Sequence, residues 1–113
     1  MAALTATTPT RAGVATPGAA VAASDTIAAS ILGSRGALLE IINGNASTDT
    51  MSISDASTTV TGAAATALAP TLTTGTNKIF LIHPRMADPT TGLVTVTHSV
   101  TSTVTYKLYP LDL

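Results

Sequence analysis

The strongest constraint on the fold of this chain is the stretch 92–109, in which apolar and polar residues alternate. A period of two is the period of a β-strand, whose successive side chains point to opposite faces of a sheet. The even-numbered residues from 94 to 100 are apolar except for His98, and those from 104 to 108 are apolar as well, whereas the odd-numbered residues are mostly threonine, which favours strands. The apolar set is Val94, Val96, Val100, Val104, Tyr106 and Leu108. The stretch predicts two strands that form a closing hairpin, with its turn at Ser99 or Thr101-Ser102.

Two further segments have apolar residues at both odd and even positions, which is typical of strands that are buried on both faces. Residues 37–43 are predicted to form a central strand, and residues 78–82 are a second strand of this type. Residues 19–23 and 26–29 are predicted to form one weak strand or two, and further short strands are predicted at 50–54, 58–61 and 71–73. Residues 62–70 are predicted to be a loop with one helical turn, because alanine favours helix and Pro70 ends it.

The spacing of these segments indicates the fold class. About seven or eight short strands with turn signals every 8–12 residues are typical of an all-β protein, here a small antiparallel β-sandwich that is jelly-roll-like. Residues 25–113 are predicted to form this domain. Residues 1–24 are predicted to form an extended N-terminal arm, in which Pro9, Pro17 and several glycines interrupt regular structure. The arm is either a disordered terminus or a segment that becomes ordered on a neighbouring subunit.

Composition limits the partners of such a domain. Only 10% of the 113 residues are charged and the net charge is -1, with the basic residues scattered, so no stripe exists that would neutralise nucleic-acid phosphates. No apolar run approaches the roughly 20 residues of a membrane span. We therefore expect neither a nucleic-acid nor a membrane partner. Much of the apolar content is alanine, which predicts a thin core that neighbouring subunits help to stabilise.

Reactive side chains are few and scattered. There is no cysteine, and His83 and His98 are far apart in sequence, whereas zinc needs three or four ligands in one place. His98 is expected to be half-buried at the rim. Most carboxylates fall in predicted turns, where they cap backbone amides, while Glu40 lies in the predicted central strand and is expected to be exposed or paired with an arginine. Asp49 and Asp55 flank a strand and could bind calcium, but their spacing matches no EF-hand loop.

From this survey we predict no catalytic, cofactor-binding or metal-ligating residue and no cofactor. No spacing supports a Ser/His/Asp constellation, a nucleophile elbow or a phosphate-binding loop. The sequence therefore argues against an enzyme.

Four segments follow the arm in a recognisable order: GALLEIIN at 36–43, MSISD at 51–55, KIFLIHP at 78–84 and DPTTGLVTVT at 88–97. In this order the chain resembles the small β-sandwich proteins that are encoded beside the major capsid protein in tailed phages of actinobacteria, the capsid decoration or head cement proteins. The resemblance covers about residues 25–109 and is a pattern of strands and turns rather than of individual side chains.

The resemblance implies a structural virion protein that binds the outer surface of a phage capsid and stabilises it. Its expected partners are the major capsid protein and further copies of itself, in a homo-oligomer for which a trimer is favoured. Its termini are expected to grip capsomers. The expected location is the capsid exterior of the virion, after assembly in the cytoplasm of the host bacterium. The resemblance carries over no catalytic residues.

Two alternative interpretations stay open. Tail and fibre modules of phages use similar sandwiches. A secreted carbohydrate-binding or adhesin-type β-sandwich would also suit the threonine-rich face, with Tyr109 as a ring that stacks on a sugar. Ring platforms usually need two or three exposed aromatic side chains, and this chain has no tryptophan. Saturable glycan binding, or a mature N-terminus near Ser24 after secretion, would favour this second alternative.

Overall fold

The computed structural model describes residues 2–15, 18–58 and 60–112. Within them, nine strands form two sheets that share one core, which confirms the predicted all-β sandwich. The strands are β1 (Ala2–Ala3), β2 (Ala19–Ala20), β3 (Ser24–Ala28), β4 (Ala37–Asn43), β5 (Asp49–Ile53), β6 (Thr71–Leu72), β7 (Asn77–Ile82), β8 (Leu93–His98) and β9 (Val104–Pro110). A short helix α1 (Ala29–Leu32) precedes β4, and a 3-10 turn (Pro84–Met86) follows β7.

The two sheets differ in strand number and in order. Sheet A has the order β1-β3-β8-β5-β6, and sheet B has the order β2-β9-β4-β7. All neighbours are antiparallel except β1, which lies parallel to β3. The strand β4 pairs with β9 on one side and β7 on the other, so the prediction that this segment is central is confirmed.

The predicted closing hairpin is wrong. The strands β8 and β9 do not pair, because β8 lies between β3 and β5 in sheet A while β9 lies between β2 and β4 in sheet B. Residues 99–103 carry the chain from one sheet to the other, and Thr103 adopts a φ of 58° there. In both strands, the buried side chains are still those that the alternation predicts to face the core. Alternation identifies the buried face of a strand, but a strand can bury that face equally well in either sheet.

The core lies between the sheets and includes residues from the predicted N-terminal arm. Leu4 and Val21 are 5% and 8% exposed. Thr7 donates its backbone N–H to the carbonyl of Leu108 at 2.8 Å, and β1 pairs with β3. Residues 2–7 therefore connect sheet A to sheet B within one chain, whereas residues 8–15 are exposed.

The segment between β5 and β6 differs from its prediction. The strand predicted at 58–61 is reduced to a single bridge from Thr58 to Ala64, with a turn at 60–61; residue 59 is outside the described residues. The helical turn predicted within 62–70 does not form. Leu68 instead exchanges two backbone hydrogen bonds of 2.9 Å with Ile53, so pairing with the end of β5 overrides the helical preference of the alanines.

A glycine is required where β4 begins. Gly36 has a φ of 91°, and a Cβ atom at this position would overlap the carbonyl oxygen of Ile82 at the end of β7. Its carbonyl accepts the backbone N–H of Leu111 at 3.0 Å. The close approach of these backbones explains why a residue without a side chain precedes the central strand.

Candidate functional site

A buried polar pair joins the start of β5 to the end of β8. Nδ1 of His98 lies 2.6 Å from Oδ2 of Asp49, and the two side chains are 1% and 0% exposed. The other carboxylate oxygen, Oδ1, accepts the backbone N–H of Ser99 at 3.0 Å. Buried carboxylates are tolerated when their oxygens are bonded in this way. The pair therefore fixes the position of the connection that leaves β8.

The geometry of this pair is structural rather than nucleophilic. In a catalytic triad, the serine hydroxyl contacts the imidazole nitrogen that faces away from the carboxylate. Here Ser99 Oγ lies 3.4 Å from Asp49 Oδ1, on the carboxylate itself. Nε2 of His98 is buried and has no hydrogen-bond partner among the described residues. A neutral imidazole with its proton on Nδ1 fits this arrangement, because it leaves no buried N–H unpaired.

From the sequence, Asp49 and Asp55 are expected to flank a strand and are possible calcium ligands. The two carboxylates lie at opposite ends of β5, and Oδ1 of Asp55 accepts the N–H and the hydroxyl of Ser57 at 2.9 and 2.6 Å. No group of three potential metal ligands occurs among the residues that the structure describes. The burial of Asp49 had a signal in the sequence, because it shares the parity of Met51 and Ile53, both of which face the core.

The other singled-out polar residues have local partners. His83 is exposed and begins the 3-10 turn, where its Nδ1 accepts the backbone N–H of Arg85 at 3.2 Å. Oε2 of Glu40 accepts a hydrogen bond of 2.7 Å from the Asn77 side chain, so its partner is an amide and not an arginine. Asp25 is 1% exposed within β3 rather than in a turn, and its Oδ2 accepts the N–H of Ala22.

The outer faces of the two sheets have different chemistry. The outer face of sheet A is lined by hydroxyls, in rows such as Ser52, Thr97 and Ser24 across β5, β8 and β3. The outer face of sheet B carries apolar side chains on all three of its long strands. We call this surface the sheet B stripe; its members are Leu38, Ile42, Ile79, Leu81 and Tyr109. The residues Leu81, Leu38 and Tyr109 lie side by side in one row across β7, β4 and β9.

No family model matches this chain, and neither a curated protein nor a solved structure matches it. Within the described part of the chain, no helix is both long enough and apolar enough to cross a bilayer. The surface chemistry of the sandwich is therefore the basis for its functional interpretation.

The most exposed part of the sheet B stripe lies on β7. Ile79 and Leu81 are 63% and 57% exposed, and β7 is the last strand of its sheet. This exposure is not predicted from the sequence, because apolar residues at both odd and even positions favour a strand that is buried on both faces. The sequence contains a weak signal for this exposure, because β7 begins with the polar residues Asn77 and Lys78. Both of them are exposed in the structure.

Proposed function

We propose that this protein is a structural virion protein that binds the outer surface of a phage capsid and stabilises it, as a decoration or cement protein does. The sequence resemblance supports this proposal, and one structural observation carries it: the sheet B stripe gathers large apolar side chains, among them exposed Ile79 and Leu81, on one face of a weakly charged sandwich. Large exposed apolar side chains that cluster on one face are typical of interaction surfaces.

The energetics suit a protein that acts in many copies. Covering an Ile or Leu side chain that is about 60% exposed contributes on the order of 1 kcal/mol. One stripe then gives a weak contact with a capsomer. Contacts of this kind add up when many copies bind a repeating shell, because multivalent attachment raises the effective concentration of each further contact.

In this proposal the major capsid protein contacts the sheet B stripe and the exposed residues 8–15 of the arm, and the hydroxyl-lined face of sheet A faces solvent. The chain also associates with copies of itself. Assembly takes place in the cytoplasm of the host bacterium, and the mature location is the exterior of the capsid. The role needs no catalytic residue, cofactor, nucleic acid or membrane.

Cosedimentation with empty capsids, built from the major capsid protein of the phage that encodes this chain, tests the proposal. The unaltered chain is expected to bind at a fixed number of copies per shell. Tyr109→Ser is expected to weaken binding, because it removes the largest side chain of the stripe. Val60→Ser is the matched control, since Val60 is fully exposed and lies outside the stripe. Equal binding by both variants would remove the stripe from the proposal.

The arm is tested separately in the same assay. Val14 is 46% exposed within residues 8–15, and Val14→Ser is expected to weaken binding if this segment grips the shell. A chain that ignores capsids at all concentrations but binds a glycan saturably would instead support the secreted carbohydrate-binding alternative.

A further inference from the structure

We infer that β7 pairs with β7 of a second copy, antiparallel and around a two-fold axis at Phe80, so that the two four-stranded B sheets become one continuous sheet. This inference deepens the self-association part of the proposed function. It does not depend on capsid binding, so the two can fail separately.

The open edge of sheet B at β7 is longer than the other described sheet edges. The three other sheet edges are formed by β1, β2 and β6, which have two residues each. The strand β7 has six residues, and it pairs with β4 alone. Edge strands of stable monomers are usually short, bulged or protected by charge or proline, because an unpaired edge is a template for another strand. Among the described edges, β7 is the one that is long, and Lys78 is its one charged residue.

Half of the backbone N–H and C=O groups of β7 point away from β4, toward the open edge. Asn43 donates its N–H to the carbonyl of Thr76 at 2.9 Å, and these two residues continue the register of β4 with β7. Backbone groups of an antiparallel strand point alternately to its two sides. The even-numbered residues of β7 therefore face β4, and Asn77, Ile79 and Leu81 direct their N–H and C=O groups to the open edge.

These three residues restrict the possible registers, because hydrogen-bonded pairs must join odd-numbered residues of the two copies. With the axis at Phe80, Ile79 lies opposite Leu81 of the second copy, and the reverse pair forms by symmetry. Two apolar cross-strand pairs result, and such pairs stabilise a sheet beyond its backbone hydrogen bonds. With the axis at Ile79, the two Ile79 residues would face each other and Leu81 would lie opposite Asn77, which leaves one apolar pair instead of two.

Charge favours the same register. With the axis at Phe80, Lys78 lies opposite Ile82 of the second copy, so no like charges oppose each other. A register centred on Lys78 would place the two lysines together, which is destabilising. The Lys78 ammonium is also engaged within its own chain, where it donates to the carbonyl of Thr71 at 3.0 Å. The open edge of β7 is thus complementary to the same edge of a second copy. This favours a second copy, rather than an unrelated extended segment, as the strand that pairs with it.

The contact also extends the apolar surface. In the register centred on Phe80, Ile79 of one copy is followed across the axis by Leu81, Leu38 and Tyr109 of the other. The two sheet B stripes then merge into one surface. A two-fold contact predicts a dimer rather than the trimer that the sequence resemblance favours.

The test is the mass of the purified chain by analytical ultracentrifugation over a range of concentrations. A reversible dimer is expected. Leu81→Lys places a charge at each of the two symmetric pairs and is expected to raise the dissociation constant at least about tenfold. Val60→Lys is the control, because it adds the same charge at an exposed valine outside β7, and it is expected to leave the dimer unchanged. A monomer throughout, a trimer, or equal effects of the two lysines would overturn the inference.

A cysteine cross-link tests the register. The chain has no cysteine, so a single introduced thiol reports one contact only. Directly opposed residues that are not hydrogen-bonded have Cα atoms about 4.5 Å apart, within the range that a disulfide spans. Phe80→Cys is therefore expected to form a covalent dimer on mild oxidation, and the Lys78→Cys variant is not. The reverse result would overturn the register. Should Phe80→Cys fail to fold, the Leu81→Lys measurement at an exposed site still decides the interface.

Discussion

The strands β4 and β7 have similar sequences and opposite surroundings. Both carry apolar residues on both parities, and they pair with each other along their length. The strand β4 has neighbours on both sides, and its inward side chains Leu39 and Ile41 are 0% exposed. The strand β7 has one neighbour, and two of its apolar side chains are more than half exposed. Apolar residues on both faces of a strand thus show which side chains are suited to burial. They do not show which of these side chains the rest of the folded chain covers.

The residues at the ends of β7 explain part of this difference. Asn77 and Lys78 are exposed and bond to Glu40 and to the Thr71 carbonyl, both within the same chain. Inward-facing Phe80 is only partly buried, whereas Ile82 is fully buried. The strand therefore enters the core progressively, from an exposed start to a buried end.

The largest effect expected from this comparison is on stability. Leu39→Ala should lower the free energy of unfolding by about 3 kcal/mol, because it removes buried methyl groups and leaves a cavity. Leu81→Ala is the matched substitution on β7 and should change it by less than about 0.5 kcal/mol in the monomer. Urea unfolding at low protein concentration measures both. Similar losses would mean that the outer face of β7 is already covered within the folded chain.

A second prediction extends the comparison to carboxylates. Asp49→Ala should destabilise the chain by about 3 kcal/mol, because it leaves the buried His98 imidazole without its acceptor. Glu40→Ala removes a carboxylate from the central strand itself, but from its half-buried outer face. Denaturant unfolding of both variants decides whether burial or a central place in the sheet sets the penalty. A larger loss for Glu40→Ala would contradict the explanation from burial.

The junction between the two strands gives a third prediction. Gly36→Ala should lower the free energy of unfolding by about 1–3 kcal/mol, because it combines a positive φ with an overlap against the Ile82 carbonyl. Gly75→Ala is the control for the φ alone, since Gly75 has a φ of 76° and no atom lies within 4 Å of the added Cβ. Thermal unfolding compares the two. Equal shifts would mean that the approach of β7 to Gly36 contributes nothing.

The smallest effect is expected on the outer face of β4. Glu40→Gln keeps an acceptor for the Asn77 amide and should change the free energy of unfolding by less than about 0.5 kcal/mol. Its measurable consequence is expected on sedimentation, where removal of the charge that lies between Leu38 and Ile42 on the outer face of sheet B should strengthen self-association slightly. Weaker association would indicate that Glu40 takes part in a polar contact between copies.

The sequence was sufficient for the features that depend on local patterns. Alternation predicted the strands at the C-terminus and their buried faces, and the double apolar pattern of residues 37–43 predicted a central strand. It was not sufficient for features that depend on which distant segments meet. The assignment of β8 and β9 to different sheets, and the edge position of β7, are set by pairing across the fold. The partnership of Asp49 with His98 also joins residues that are 49 positions apart.

The order in which the strands are synthesised has a consequence for how the protein folds in the cell. Sheet A has β8 as an inner strand and sheet B has β9, and these are the last two strands of the chain. While the ribosome is still making them, β3 and β5 lack the strand that joins them, and β4 lacks its neighbour β9. The Thr7 N–H likewise lacks its acceptor, the Leu108 carbonyl, until that residue is synthesised. Because these contacts are distant in sequence, loop closure slows their formation, and neither sheet is complete before β8 and β9 have been synthesised.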